Sequence, residues 1–326
     1  MKTVTGRLRI ITTCILILGL FLLPGCGQEE TSEVSQEIQV ATWKTAQTIQ
    51  PFFYENYLTQ EQQITVLPFT NPGDMKTALL AGEVDMCGTT LVTAITAASK
   101  AEPVVVVSSL CNKCSALVVG KDSNIQSPAD LKGKKIAYVP GTMHHILLLE
   151  TLSKAGLDAT KDVELLRIDF FDMGQALAQG TIDAFCSGEP YPSVAVSEGY
   201  GRVLSYPYFD DSIGAINAGM MTTKDEIANN RALIQQLVTA QAKSTEYLNS
   251  HPEEWLGKAA EFGTAVNVLE TARSNMELSW DMDEQFIEQA TMLAQQMKHL
   301  GVITNVPDMN QLFDLSFVEQ TRQDLK

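Results

Sequence analysis

The chain has 326 residues, a formal net charge of −16 at pH 7, and 45% hydrophobic residues. So acidic a surface repels the phosphate backbone of nucleic acid, which excludes nucleic-acid binding as the main function. The length is enough for two lobes of ordinary size, each with its own apolar core.

The first 25 residues have the pattern of an export signal. Three basic residues precede an almost uninterrupted apolar run from Ile10 to Leu23. This run is shorter than the ~20 residues that a membrane-spanning helix needs, so an integral membrane protein is not predicted. The sequence predicts an exported protein whose signal peptide, residues 1–25, is removed.

The predicted cleavage site lies in "LPGC", which ends at Cys26 and resembles a bacterial lipobox. In such a site the cysteine is lipidated and becomes the mature N-terminus. An ordinary secretory signal or an uncleaved anchor is the alternative. The polar residues 26–37 are typical of a flexible tether. We therefore expect a lipid anchor at the outer face of the cytoplasmic membrane or in the periplasm.

Between about residues 38 and 222, short β-rich runs alternate with amphipathic or capped helical runs. This alternation is typical of parallel sheets flanked by helices, and it predicts an α/β fold. The predicted strands are IQVATW, VDMCG, PVVVVSSL, ALVVG, KKIAYVP, VELLRID, IDAFCSG and GAINAGMMTT.

Two long helices are predicted after about residue 223. Thr223 and Glu226 form a capping box at the start of the first, and Gly301 follows the end of the second. The apolar positions of the two helices recur at helical spacing and predict core-facing stripes. These positions are Leu233, Leu237, Ala240, Ser244 and Tyr247, then Phe286, Ala290, Leu293, Met297 and Leu300.

Two segments of the chain resemble each other. "MKTALLAGEVDMCG" begins at Met75, and "MGQALAQGTIDAFC" begins at Met173. Each copy predicts a short helix, a glycine at a tight turn, and a buried strand. Chance similarity is the alternative to a structural repeat of two lobes.

The sequence resembles the solute-binding lipoproteins of ABC importers, in the nitrate, sulfonate and taurine group that includes binders of thiamine precursors. The most specific residues are "SPADLKGKKIAYVPGT" with its following helix, and "GTIDAFCSGEPY". The resemblance implies a two-lobed periplasmic-binding-protein fold of type II, each lobe a mostly parallel sheet flanked by helices. Lobe one would be residues 38–118 and 219–326, and lobe two residues 119–218.

The same resemblance implies a function without catalysis or cofactor. A small solute, expected to be an anion such as nitrate or a sulfonate, would be held between the lobes and passed to a membrane permease and its ATPase. Closure around the solute would be a hinge motion. The alternatives of another class are an enzyme, since relatives of this fold build the pyrimidine in thiamine biosynthesis, and an exported thiol-disulfide oxidoreductase.

Ligands in open α/β sheets bind outside the carboxyl ends of the strands. The residues at those ends are therefore the candidates for ligand binding. They are Trp43, Lys44, Thr45, Gly88, Thr89, Thr90, Cys111, Cys114, Gly141, Thr142, His144, Cys186 and Glu189.

Several of these candidates have a specific expected role. The turn at Gly141 and Thr142 opens a helix whose free N–H groups favour an anion, although an ordinary N-cap needs no ligand. His144 is preferred over its neighbour as the ligand contact, with a core or surface position as the alternative. Trp43 suits stacking on a planar solute, or packing in the core. Glu189 suits a cationic ligand group.

The cysteines leave three interpretations open. Cys111 and Cys114 would lie about 10 Å apart on a straight strand, so a disulfide requires a turn between them. Cys87 and Cys186 end the two repeated segments, and with His144 the four thiols would surround one cavity. A soft metal, metal complex or sulfur-containing ligand suits that set. A disulfide and inert thiols are the other interpretations.

Overall fold

The computed structural model describes residues 37–209 and 212–326. The predicted signal peptide, the lipidation of Cys26 and the tether up to residue 36 lie outside the described residues. Across the two described stretches, the helices are too short or too polar to cross a membrane.

The strands of the described residues form two sheets. In chain order they are β1 (Glu37–Trp43), β2 (Gln63–Phe69), β3 (Met86–Thr90), β4 (Val104–Lys113), β5 (Ser115–Gly120), β6 (Lys135–Tyr138), β7 (Glu164–Arg167), β8 (Ala184–Gly188), β9 (Gly201–Ser205), β10 (Ile216–Thr223) and β11 (Met276–Leu278).

The helices of the described residues flank these sheets. In chain order they are α1 (Pro72–Leu80), α2 (Leu91–Ser99), α3 (Met143–Lys154), α4 (Phe170–Ala178), α5 (Tyr191–Ser197), α6 (Lys224–Ser250), α7 (Pro252–Ala260), α8 (Val266–Ala272), α9 (Glu284–His299), α10 (Met309–Leu312) and α11 (Ser316–Asp324).

Both sheets are mixed. The six-stranded sheet has the order β11-β4-β10-β3-β1-β2, and the five-stranded sheet has the order β7-β6-β8-β5-β9. β1 pairs in parallel with β2 and β3, whereas β10 pairs antiparallel with β3 and β4. In the second sheet β6 is parallel to β7 and β8, whereas β5 is antiparallel to β8 and β9. The predicted α/β class is confirmed, with reversed strands where the chain passes between the sheets.

The chain leaves the six-stranded sheet at Cys114, between β4 and β5. Lys113 and Cys114 have positive φ values of 61° and 67°, so the backbone turns there and the strand direction changes. The chain returns with β10. The predicted lobe limits at residues 118 and 219 fall inside β5 and β10, because an apolar strand pattern does not show which sheet a strand joins. The division into lobes stays a prediction.

The two similar segments make the same contacts in different sheets. In each, a helix is followed by a glycine with positive φ and then by an aspartate. The Asp85 carboxylate accepts a hydrogen bond of 2.8 Å from the backbone N–H of Gln39. The Asp183 carboxylate accepts one of 2.8 Å from the N–H of Lys135. Each aspartate therefore fixes the start of a buried strand against its parallel neighbour.

The two long helices agree with the sequence prediction. The Thr223 hydroxyl accepts a hydrogen bond of 3.1 Å from the N–H of Glu226 at the start of α6. The stripes of α6 and α9 are buried, apart from Tyr247 and Leu300, which are half-buried. Gly301 has a φ of 72°.

Three strands were not predicted: β2, β9 and β11. All three lie at the edge of a sheet. An edge strand contacts the core less completely, and most residues of β2 and β9 are half-buried or exposed. Their sequences therefore lack the continuous apolar run that marks the central strands.

Candidate functional site

A small cavity lies between the two sheets, at the end where β4 crosses into β5. Its volume is about 30 Å³, which is the space that about two water molecules need. Residues from both sheets line it: Trp43, Thr45, Gln47, Thr48, Thr90, Cys111, Cys114, Thr142, His144, Phe170, Gly188, Glu189, Tyr191, Asn217 and Ala218.

Many of the candidates from the sequence meet at this cavity. Those that line it are Trp43, Thr45, Thr90, Cys111, Cys114, Thr142, His144 and Glu189.

The other candidates lie elsewhere. Lys44 borders an adjoining groove of about 530 Å³, which shares Thr45 with the cavity. Gly88 packs in the core, where a Cβ atom would come within 2.6 Å of the Leu110 side chain. Thr89 and Cys186 are also buried outside the lining.

Gly141 connects the two sheets through hydrogen bonds from the opposite side of the cavity. The Thr90 and Thr93 hydroxyls lie 3.1 and 3.2 Å from the carbonyl oxygen of Gly141 and donate to it. Thr90 also caps α2 by accepting from the N–H of Thr93, and Thr142 caps α3 by accepting from the N–H of His145. Thr90 and Thr142 are therefore N-caps, which is the alternative that the sequence left open.

Seven lining residues are not among these candidates. Gly188 is the last residue of β8 and directly precedes the candidate Glu189, and the other six lie at varying distances from a strand end. Gln47 and Thr48 lie in a short 3-10 turn just beyond β1, and Phe170 opens α4 just beyond β7. Extending the strand-end rule by a few residues would have found them. Tyr191 begins α5 two residues after Glu189. Asn217 and Ala218 belong to β10, whose return into the sheet no local pattern indicates.

The carboxylate of Glu189 is the one acidic group of the lining. Its side chain is 2% exposed. The N–H of Ser193 donates to one carboxylate oxygen and the amide of Asn275 to the other, both at 3.2 Å. Burial raises the pKa of Glu189 above its ordinary value. The lining contains no lysine or arginine.

His144 is a neutral member of the lining. Its Nδ1 atom lies 2.8 Å from the Ser115 hydroxyl. Burial lowers the pKa of His144 to about 3, so the imidazole carries no charge at neutral pH. His145 instead packs on Tyr138, with ring centroids 4.5 Å apart. The structure thus brings His144, and not His145, to the cavity.

Aromatic rings form one wall of the cavity. Phe170 stacks on Tyr191 at 5.8 Å between centroids, and Trp43 lies 6.2 Å from Phe170 at a tilt of 51°. His144 meets Phe170 edge-on at 5.6 Å. Trp43 ends β1 of the six-stranded sheet and Phe170 opens α4 just after β7 of the five-stranded sheet, so this aromatic contact also joins the two halves of the site.

The two cavity cysteines are reduced and buried. The amide of Asn217 donates to the Cys114 sulfur at 3.1 Å. Burial raises the pKa of Cys111 to about 12 and also raises the pKa of Cys114. Thiols with raised pKa values are poor nucleophiles and poor metal ligands at neutral pH. The turn that the pair requires is present, at Lys113 and Cys114.

The four thiols do not share the cavity. Cys87 packs in the core of the six-stranded sheet and Cys186 in that of the five-stranded sheet. Within residues 37–209 and 212–326, no group of three or more histidine, cysteine, aspartate or glutamate side chains could hold a metal ion. Similar strand positions in two sheets do not bring their side chains together, because each thiol points into its own sheet's core.

Two mixed α/β sheets, joined by crossing strands and enclosing a cavity at the crossing, define the periplasmic binding protein class of fold. The solved periplasmic nitrate-binding protein NrtA of Synechocystis has this architecture with a TM-score of 0.76, at 14% identity, over 89% of each chain.

The family model described as NMT1/THI5 like matches residues 57–255, and the chain belongs to this family. It is 36% identical over 146 residues to an Escherichia coli protein named as an aliphatic sulfonates-binding protein, covering 44% of this chain and 46% of that one. It is 32% identical over 185 residues to a Haemophilus influenzae protein named as a thiamine biosynthesis protein, covering 51% and 54%. The chain thus spans about half the length of these curated relatives.

Proposed function

We propose that this protein is an exported solute-binding protein of an ABC importer. It captures a small solute between its two sheets and delivers it to a permease and ATPase in the membrane, to which a lipid on Cys26 tethers it. The observation that carries the proposal is the cavity itself, because residues from both sheets line it. The names of the relatives, and the family membership of the chain, support the same function.

The size of the cavity implies a movement. A space of about 30 Å³ admits no solute of more than a few heavy atoms. A larger solute enters only when the two sheets move apart, and the crossings near Cys114 and β10 are the connections about which they would turn. The hydrogen bonds from Thr90 and Thr93 to Gly141 would break on opening.

The solute is not proposed to be an anion, although the sequence predicted one. Nitrate or a sulfonate would lie beside the Glu189 carboxylate without a lysine or arginine in the lining. The Thr90 hydroxyl already donates to the carbonyl oxygen of Gly141, and the Thr142 hydroxyl to that of Val139. We therefore propose capture of a small organic solute.

Thiol chemistry has less support than solute capture. An oxidoreductase needs a cysteine with a lowered pKa, and the pKa of Cys111 is raised to about 12. Binding alone requires no reactive group, so the buried thiols are compatible with it.

The proposal is tested by thermal unfolding of the full chain against a library of bacterial nutrients. A solute that binds only the folded state at 100 times its Kd stabilises it by about 2.7 kcal/mol, a rise of a few degrees in Tm for a protein of this size. Trp43→Ala should abolish the rise, because it removes part of the aromatic wall. Leu80→Ala, at an exposed position away from the cavity, is the control. A library without a single stabilising solute would contradict solute capture.

A further inference from the structure

We infer that the Thr93 hydroxyl and the carbonyl oxygen of Gly141 form a latch that sets how often the two sheets separate. Both groups lie outside the cavity lining, so the latch controls access to the cavity without contacting the solute. This inference rests on the movement that the proposed function requires, and it assigns the control of that movement to particular residues.

The latch joins elements of different sheets. One side is the first turn of α2, which follows β3 of the six-stranded sheet, and the other is the turn before α3, which follows β6 of the five-stranded sheet. The Thr90 and Thr93 hydroxyls donate to the Gly141 carbonyl oxygen over 3.1 and 3.2 Å. A carbonyl oxygen has two lone pairs, so these two donors use its full accepting capacity. Both threonines are buried, at 5% and 8% exposure, which limits competition from water.

Opening of the latch leaves neither hydroxyl without a partner. The Thr90 and Thr93 hydroxyl oxygens lie 3.2 Å apart, and either can donate to the other. When the sheets separate, the two hydroxyls bond to each other and the Gly141 carbonyl oxygen bonds to water. The cost of opening is therefore the net value of a hydrogen bond, which changes an equilibrium by about two- to tenfold. A contact of this strength breaks and re-forms readily, as repeated solute uptake requires.

The latch differs in one respect from the aromatic contact that also joins the two sides. Trp43 and Phe170 both line the cavity, so a bound solute changes their surroundings as well. Thr93 and Gly141 lie outside the lining, and their hydrogen bond changes only with the separation of the sheets. Thr93 is therefore a position at which closure is weakened while the solute contacts stay intact.

The native cysteines report the opening. Cys111 and Cys114 line the cavity at 1% exposure each, whereas Cys87 and Cys186 lie in the cores of separate sheets. A thiol reagent reaches the two cavity cysteines when the sheets separate, and the two core cysteines only when a sheet unfolds. When closing is faster than labelling, the labelling rate is proportional to the population of the open form.

The test is labelling of the full chain with iodoacetamide, without any solute, followed by trypsin digestion and mass spectrometry. Cleavage after Lys113 places Cys111 and Cys114 in separate peptides. Thr93→Val keeps the shape of the side chain and removes the hydroxyl. It should speed the labelling of both cavity cysteines by about two- to tenfold, because one hydrogen bond of the closed arrangement is lost. The two core cysteines should label at an unchanged rate.

Two matched variants serve as controls. Thr93→Ser retains a hydroxyl at the same position, and its cavity cysteines should label at nearly the rate of the unaltered chain. Thr77→Val removes a hydroxyl that donates to the Gly73 carbonyl oxygen within α1, at an exposed position. It should also label at the rate of the unaltered chain.

Two results would overturn the latch. One is equal labelling of the cavity cysteines in Thr93→Val and in the unaltered chain. The other is an equal acceleration at all four of these cysteines, because Thr93 would then stabilise the whole fold instead of the closed arrangement. Since no solute enters the measurement, a failed latch leaves solute capture standing, and a nutrient library without a binder leaves the latch standing.

Discussion

The two repeated segments share a helix, a glycine turn and a buried strand, but they differ in the residue that follows the strand. Asp85 and Asp183 make the same backbone contact at the start of β3 and β8. At the carboxyl ends the copies differ, because the position that holds Glu189 after β8 holds Leu91 after β3. Leu91 is 0% exposed and lies in the apolar core, whereas Glu189 faces the cavity. The repeat therefore positions the two buried strands, and the residues just beyond the strands determine which polar groups face the cavity.

The largest expected effect separates these two matched positions. Leu91→Ala should lower the free energy of unfolding by about 2–5 kcal/mol, because it removes a large buried side chain and leaves a cavity. It should leave the affinity for the solute nearly unchanged, in contrast to Glu189→Gln. Urea unfolding and calorimetry on both variants check this. A loss of affinity in Leu91→Ala equal to that in Glu189→Gln would contradict the assignment of Leu91 to the core and of Glu189 to solute binding.

A smaller effect tests the part that the copies share. Asp85→Ala and Asp183→Ala each leave a backbone N–H without its carboxylate partner, at a cost of about 1–3 kcal/mol in the free energy of unfolding. We expect similar losses from the two variants in urea unfolding, with little change in solute affinity. A large loss from one and none from the other would show that the two segments are alike only in shape.

The smallest effect concerns pH, and it belongs to the five-stranded sheet alone. Burial lowers the pKa of His145 to about 4, whereas the unfolded chain takes up a proton near the ordinary value of about 6.5. Above about pH 6.5 the imidazole is neutral in both states, and this histidine does not lower the free energy of unfolding. As the pH falls below 6.5, the free energy of unfolding decreases, because only the unfolded chain takes up the proton. Between pH 7.5 and 5.5, His145→Phe should lose about 1 kcal/mol less free energy of unfolding than the unaltered chain.

The control for the pH prediction is Leu80→Ala, at an exposed position that carries no titratable group. Its urea unfolding should have the same pH dependence as that of the unaltered chain. If His145→Phe also followed the unaltered chain, the imidazole would not be neutral in the folded protein.

Much of the fold was predictable because its signals are local. The buried central strands are continuous apolar runs, and α6 begins at a capping box that the structure retains. The edge strands β2, β9 and β11 were missed because one-sided contacts leave a weak pattern. The sequence does not show which sheet β5 and β10 join, because partner choice is not a local property.

The site was predictable to the extent that strand ends identify it. Trp43, Thr90, Cys111 and Glu189 follow directly from that rule, and the structure brings them to one cavity. Gln47 and Asn217 do not, since one lies beyond the strand end and the other on the returning strand. The anion site at Gly141 and Thr142 stays a prediction, and the sequence did not show that the Gly141 carbonyl oxygen accepts a hydrogen bond from Thr90.

The sequence by itself determined the α/β class, the repeat, the central strands and the long helices, since hydrophobic period and capping act between neighbours in the chain. Only the tertiary structure decided which side chains share the cavity and which donors remain free, because both depend on how two separately formed sheets meet. The separation of Cys87 and Cys186 from the cavity, and the unpartnered oxygen of Gln47, are consequences of that meeting.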